Sequence, residues 1–119
     1  MRDFRDLKVW EKSRQLSLAV YKATIPFPRE EQYGLTSQIR RSAVSISANI
    51  AEGCGRGSNG ELKQFLQVAM GSASELECLL LLAAELKFLD RTEQQKLENN
   101  VTEVKRMLAS FIGKLKADR

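Results

Sequence analysis

The residues nearest to a recognisable chemical motif are the glycines of "GCGRGSNG" (53–60), where Gly55, Gly57 and Gly60 match the G-x-G-x-x-G spacing of a dinucleotide-binding loop. In such a loop the glycines let the backbone approach a pyrophosphate, and a β-strand must feed the first of them. Here the preceding apolar residues are Leu35, Ile39, Ala43, Ile46 and Ile50, ending on Gly53, and they recur at steps of three and four. That period is helical, and nothing nearby alternates at period two. A Walker loop is excluded too, because no Gly-Lys-Ser/Thr closes the run. The glycines read as a corner: a helix end relieved by glycine, a short turn, and a new helix capped by Ser58 and Glu61, each satisfying an orphan amide.

Composition narrows the remaining chemistry. The 119 residues include no histidine, which removes the commonest general base, the commonest metal ligand and every Ser-His or Cys-His nucleophile pair. Cys54 and Cys78 form no C-x-x-C and read as ordinary thiols. A di-iron bundle would need Glu-x-x-His. Glu75 and Glu77 stand two apart on a helix and point about 160° from one another, so they make no paired acid and base. The reading is a non-enzyme, with no catalytic residue, no metal and no cofactor.

The elements that must position the polar residues are helices. Only two prolines occur, both in "IPFPRE", and the 43% hydrophobic and 29% charged composition suits one folded domain over residues 1–119. No apolar run of about 18 residues and no signal-peptide pattern is read, so the expected location is cytoplasmic. The first helix, from about Asp6 to Thr24, carries two seams: Val9, Ser13, Leu16, Val20, Ala23 and Leu7, Trp10, Leu18, Tyr21, Ile25. The second runs from about Gly34 to Gly53, and its slim side (Ser37, Val44, Ser45, Ser47, Ala48, Ala51) suits either a tight helix pair or a subunit contact.

The third helix follows Ser58, with a stripe of Leu62, Phe65, Leu66, Ala69, Ala73, Leu76, Leu80 and Ala83. Its "CLLLLAAEL" (78–86) is apolar nearly all round, with Leu82 and Leu89 opposite the stripe, which points to self-association. The fourth opens at a capping-box pattern, Thr92 to Gln95, and carries a heptad seam of Leu97, Val101, Val104, Leu108, Phe111 and Leu115. Short connections make successive helices antiparallel. The fold class is all-α, an up-down antiparallel four-helix bundle.

Arg40, Arg41, Glu52, Glu75 and Glu77 lie on otherwise small or apolar helix surfaces and are candidates for structural ion pairs. The competing reading gives Arg40 or Arg41, together with Arg56, to a polyanion. Lys105, Arg106, Lys114, Lys116 and Arg119 bias the end of the fourth helix toward positive charge, which suits its dipole and also adds candidate phosphate contacts. Asn49, at the edge of the second helix's stripe, reads as a satisfied polar group.

With these parts in place, "LTSQIRRSAVSISANIAEGCGRGSNGELKQFLQVAMGSASELECLL" (35–80) resembles the core of the 23S rRNA intervening-sequence proteins, which are related to the accessory variability proteins of diversity-generating retroelements. The resemblance is carried by the Arg-Arg of "QIRRSAVSI", by "NIAEG" with a following arginine, by "GSASELE", and by the opening "FRDLKVWEKS". It implies a homo-oligomeric ring, with a pentamer as the family expectation, and an accessory role beside structured RNA or DNA. A protein partner such as a reverse transcriptase is the alternative. The net charge of +4 is modest for one chain, but five copies at +4 each would carry about +20, enough for long-range attraction of nucleic acid.

Overall fold

The computed structural model describes residues 2–117. Four helices account for most of it: α1 (Lys8–Thr24), α2 (Leu35–Cys54), α3 (Asn59–Glu85) and α4 (Arg91–Ala117). Single 3-10 turns stand at Phe4–Asp6 and Arg29–Glu31, and no strand occurs among the described residues. Each helix packs on the next, and α1 closes the ring against α4. The result is the up-down four-helix bundle, 46 × 23 × 20 Å. Its long axis fits the roughly 40 Å expected of a 27-residue helix.

The seams do the packing that their spacing implies. Leu16, Val20, Ile39, Ala43, Ile46, Ile50, Leu66, Leu76, Val101, Val104 and Leu108 are all at most 1% exposed and belong to one contiguous core. The second seam of α1 divides: Leu7 and Trp10 pack at the core margin, whereas Leu18, Tyr21 and Ile25 face outward. The slim side of α2 does admit neighbours closely. Ser17 Oγ donates to the Ala43 carbonyl at 3.1 Å, tying α1 to α2. On the other flank Ser45 Oγ meets Ser72 Oγ at 2.8 Å, and Asn49 Nδ2 donates to Ser45 at 2.8 Å (carbonyl) and 2.9 Å (hydroxyl).

The helix ends differ from expectation in three places. First, no glycine among the described residues adopts positive φ, and Gly55 at the end of α2 is right-handed (φ −79°, ψ −7°). The glycine that matters is Gly53, for steric reasons: a Cβ there would stand 2.9 Å from Phe65 Cβ and 3.0 Å from Leu62 Cδ1. Second, Ser58 caps the Glu61 amide at 3.2 Å, but the Glu61 carboxylate takes the Ser58 hydroxyl at 3.3 Å and approaches Arg56, so the box is half formed. Third, α4 is capped by Asp90, whose Oδ1 accepts from the Glu93 amide at 2.8 Å, rather than opening at Thr92. Aspartate is as good an N-cap as threonine or better, and it stands where the helix actually starts.

The end of α3 also explains Leu89. Phe88 N donates to the Ala83 carbonyl and Lys87 N to the Ala84 carbonyl, each at 3.0 Å, with Lys87 at φ 66°. This is a Schellman turn with lysine in the left-handed position. It folds Leu89 back into the core, so Leu89 is buried while Leu81, Leu82 and Leu86 stay outside. One further expectation is corrected here: α3 is long and apolar enough to cross a membrane by length and composition. A helix that packs α2 on one side and α4 on another needs apolar residues over much of its circumference.

Candidate functional site

The helix arrangement sorts the charged residues into three groups. At the α2–α3 corner, Arg56 is held on three sides. Its Nη2 lies 2.8 Å from Glu52 Oε2, its Nη1 3.9 Å from Glu61 Oε2, and its guanidinium covers the Phe65 ring at 4.8 Å. A cation between two carboxylates retains little spare charge, so Arg56 chiefly braces the corner.

The second group lies on α2 and the facing side of α3. Arg40 is not an ion-pair partner of Glu52, Glu75 or Glu77. Its Nε donates to Thr24 Oγ1 at 2.8 Å, its Nη2 to the Tyr21 carbonyl at 3.3 Å, and the group stacks on the Tyr21 ring at 4.6 Å. The reason is geometric, since position 40 faces the end of α1, where those acceptors stand. Arg41 is exposed and lines a polar recess of about 570 Å³ with Glu75, yet no ion pair joins the two among the described residues. Glu77 pairs instead with Lys105 Nζ on the neighbouring α4, at 3.0 Å.

The third group could not be assembled from periodicity. Because α1 and α4 are antiparallel neighbours, the start of α1 lies beside the end of α4, and Lys12 Nζ bridges to Glu103 Oε2 at 3.2 Å. Below that bridge a groove of about 490 Å³ opens, edged by Arg2, Lys8, Arg106 and Lys114 and floored by Met107 and Phe111. No carboxylate lines it, and none stands within ion-pair distance of its four cations among the described residues. Arg2 is anchored twice: its amide donates to the Cys54 carbonyl at 3.1 Å, and its guanidinium covers the Phe111 ring at 5.3 Å. Arg2 also lines a smaller recess beside Arg56, which continues the basic surface onto the corner.

Arg106 and Lys114 thus fall in a common site, Lys105 is engaged by Glu77, and Lys116 is exposed outside the groove lining. Arg119 lies outside the described residues. Sequence reasoning missed Arg2 and Lys8. The available signal was topological, because in an up-down bundle the first residues of α1 must meet the last turns of α4. Of the two thiols, Cys54 is buried at the corner and its pKa is raised by desolvation, while Cys78 is exposed.

A family model described as "23S rRNA-intervening sequence protein" matches residues 5–110, which takes in α1 to α3 and α4 as far as Ser110, with Lys8 and Arg106 of the groove but not Arg2 or Lys114. The chain belongs to this family. Among solved structures, it is similar to a Bacteroides thetaiotaomicron protein of unknown function from the S23 ribosomal protein family. The two share 28% identity with a TM-score of 0.79, over 87% of this chain and 97% of the other. No curated protein gave a significant match.

Proposed function

We propose that this protein is a non-catalytic, cytoplasmic accessory protein that associates with structured RNA or DNA through the groove between the start of α1 and the end of α4. The observation that carries the reading is four cations around one groove with no carboxylate in its lining. Ion-paired cations elsewhere, such as Lys105 and Arg56, have already exchanged water for a protein carboxylate. Those in the groove have no carboxylate partner, and each that neutralises a phosphate releases counterions condensed on the nucleic acid. The description of the family, tied to 23S rRNA, supports structured RNA as the first substrate to try.

Self-association is part of the proposal. Val68, Leu81 and Leu82 of α3 and Leu86 just beyond it are exposed apolar residues that no other described residue covers. A ring of five would cover them and repeat the groove around an axis, multiplying a modest charge per chain. The second reading, a ring that holds a protein partner such as a reverse transcriptase, draws on the separate exposed residues Leu18 of α1 and Ile25 just after it.

The test is anisotropy of labelled structured RNA and duplex DNA titrated with the protein at two salt concentrations. Binding that weakens steeply with salt supports a phosphate-contacting surface. No binding at low salt rejects it and favours the protein-partner reading. Light scattering after size exclusion checks assembly, and a particle at the 13.4 kDa chain mass would refute self-association.

A further inference from the structure

The outward side of α2 and α3 is poor in charge for an exposed surface. From Leu35 to Ala51 the only charged residues of α2 are Arg40 and Arg41, and from Gln64 to Ala84 the only ones of α3 are Glu75 and Glu77. Arg40 is turned toward α1, where it bonds to Thr24 and the Tyr21 carbonyl, and Glu77 toward α4, where it holds Lys105. That leaves Arg41 and Glu75 on the outward side. Both are exposed and line the recess between the two helices, and neither makes an ion pair among the described residues. Around them stand Val44, Val68 and Leu82, all exposed, and Tyr33, which is 91% exposed.

Covering this face leaves few polar atoms stranded, because its slim residues are already satisfied within the chain. Ser45 Oγ meets Ser72 Oγ at 2.8 Å, Asn49 Nδ2 donates to the Ser45 carbonyl at 2.8 Å, and Ser47 Oγ donates to the Val44 carbonyl at 3.2 Å. Small side chains also let another helix approach closely. Few charges, with tyrosine and arginine among apolar residues, is the composition of an interface centre. The stretch of α3 from Gln64 to Glu85 is about 30 Å long, and two helices abreast are about 20 Å wide. The face therefore offers about 600 Å² per copy, or about 1,200 Å² per contact, which reaches the range of specific protein interfaces.

The two charges identify the occupant. Whatever covers them must bring a carboxylate to Arg41 and a cation to Glu75, since a charge buried without its partner is strongly destabilising. Another copy of this chain holds both, among the same apolar and slim residues. We infer that the α2–α3 face packs on a second copy of this chain, with Arg41 of one copy paired to Glu75 of the next. This rests on the self-association proposed above, and it gives that assembly its surface and its specifying charge pair.

Light scattering after size exclusion, on the wild type and four variants, provides the test, with far-UV circular dichroism to check helicity. Arg41→Glu and Glu75→Arg each place like charges at the contact. Both positions are exposed within the chain, so each variant should keep wild-type helicity yet run at the 13.4 kDa chain mass. The double variant, Arg41→Glu with Glu75→Arg, restores opposite charges and should return to the wild-type mass. Lys22→Glu changes the net charge as Arg41→Glu does, but from an exposed position on α1, and should leave the mass unaltered. A wild type at the chain mass overturns self-association itself and this inference with it. An assembled wild type overturns the inference alone if both single variants stay assembled, if the double variant stays at the chain mass, or if Lys22→Glu dissociates the particle as fully as Arg41→Glu.

Discussion

Replacing Gly53 by alanine separates two accounts of the glycine-rich corner. If the glycines serve turn geometry, position 53, inside α2, should welcome alanine, which exceeds glycine in helix propensity by about 1 kcal/mol. The structure makes the opposite demand. The new methyl would lie 2.9 Å from Phe65 Cβ, 3.0 Å from Leu62 Cδ1 and 3.3 Å from the Leu62 carbonyl oxygen. Leu62 Cδ1 can turn away, but Phe65 Cβ and the Leu62 carbonyl are tied to the α3 backbone. The helices must therefore part by several tenths of an ångström, which opens contacts along both.

Overpacking of this kind costs about 1–3 kcal/mol, and with two of three contacts attached to backbone the upper part of that range applies. Subtracting the propensity gain leaves a net loss of about 1–2 kcal/mol, a fall of roughly 4–8 °C in Tm for a chain of this size. Urea unfolding followed by far-UV circular dichroism gives the free energy, with Gly71→Ala as the control. Gly71 is exposed on the same helix pair with nothing within 4 Å of its Cβ position, so alanine there should stabilise by about 0.5–1 kcal/mol. Gly53→Ala unfolding at the same urea concentration as wild type, or a higher one, while Gly71→Ala stabilises as expected, would refute the close approach of α2 and α3.

Other outcomes follow from the same geometry. Four groove cations predict a slope of log affinity against log salt of about −3 for RNA, and Arg106→Ala with Lys114→Ala should make it shallower by about 1.5, measured by anisotropy. Lys105→Ala, removing a cation already bound to Glu77, should change that slope less, and equal effects would argue against the groove. Lys87→Gly should raise stability by about 0.5–1 kcal/mol in thermal unfolding, because φ 66° strains a lysine and suits glycine. In thiol titration with a chromogenic disulfide, exposed Cys78 should react in the native protein. Buried Cys54, its thiol pKa raised by desolvation, should wait for denaturant, and prompt reaction of both would contradict the docked N-terminal segment.

Much of the fold was legible because helix packing repeats itself along the chain. The stripe from Leu35 to Gly53 and the seam from Leu97 to Leu115 each bury nearly as their spacing implies, since a side chain's angular position on a helix is set by local residue count alone. The charged residues were harder to place. Arg40 stands among small residues with Glu52 one face away, yet it bonds to Thr24 and Tyr21 because α1 ends beside it. Leu89 looked external by extrapolating α3, and is buried because the Schellman turn stops that helix first. The Asp90 cap was open to reading as well, since Asp90-x-x-Glu93 has the same form as the pattern assigned to Thr92.

By itself the sequence determined four amphipathic helices, their antiparallel order, the missing histidine chemistry and membership suggested by "QIRRSAVSI" and "NIAEG". These depend on spacing within one helix or on residue types being present at all, and neither requires knowing which helix faces which. Tertiary structure decided which charges are spent and which are free. Lys105 is paired with Glu77 on the neighbouring α3, while Arg106, its neighbour in sequence, is turned by the helix into the groove with Lys114. Arg2 and Lys8 join them from about a hundred residues away because α1 and α4 close the bundle side by side. Ionic partnership falls off over a few ångströms, so only the distances set by packing could assign it.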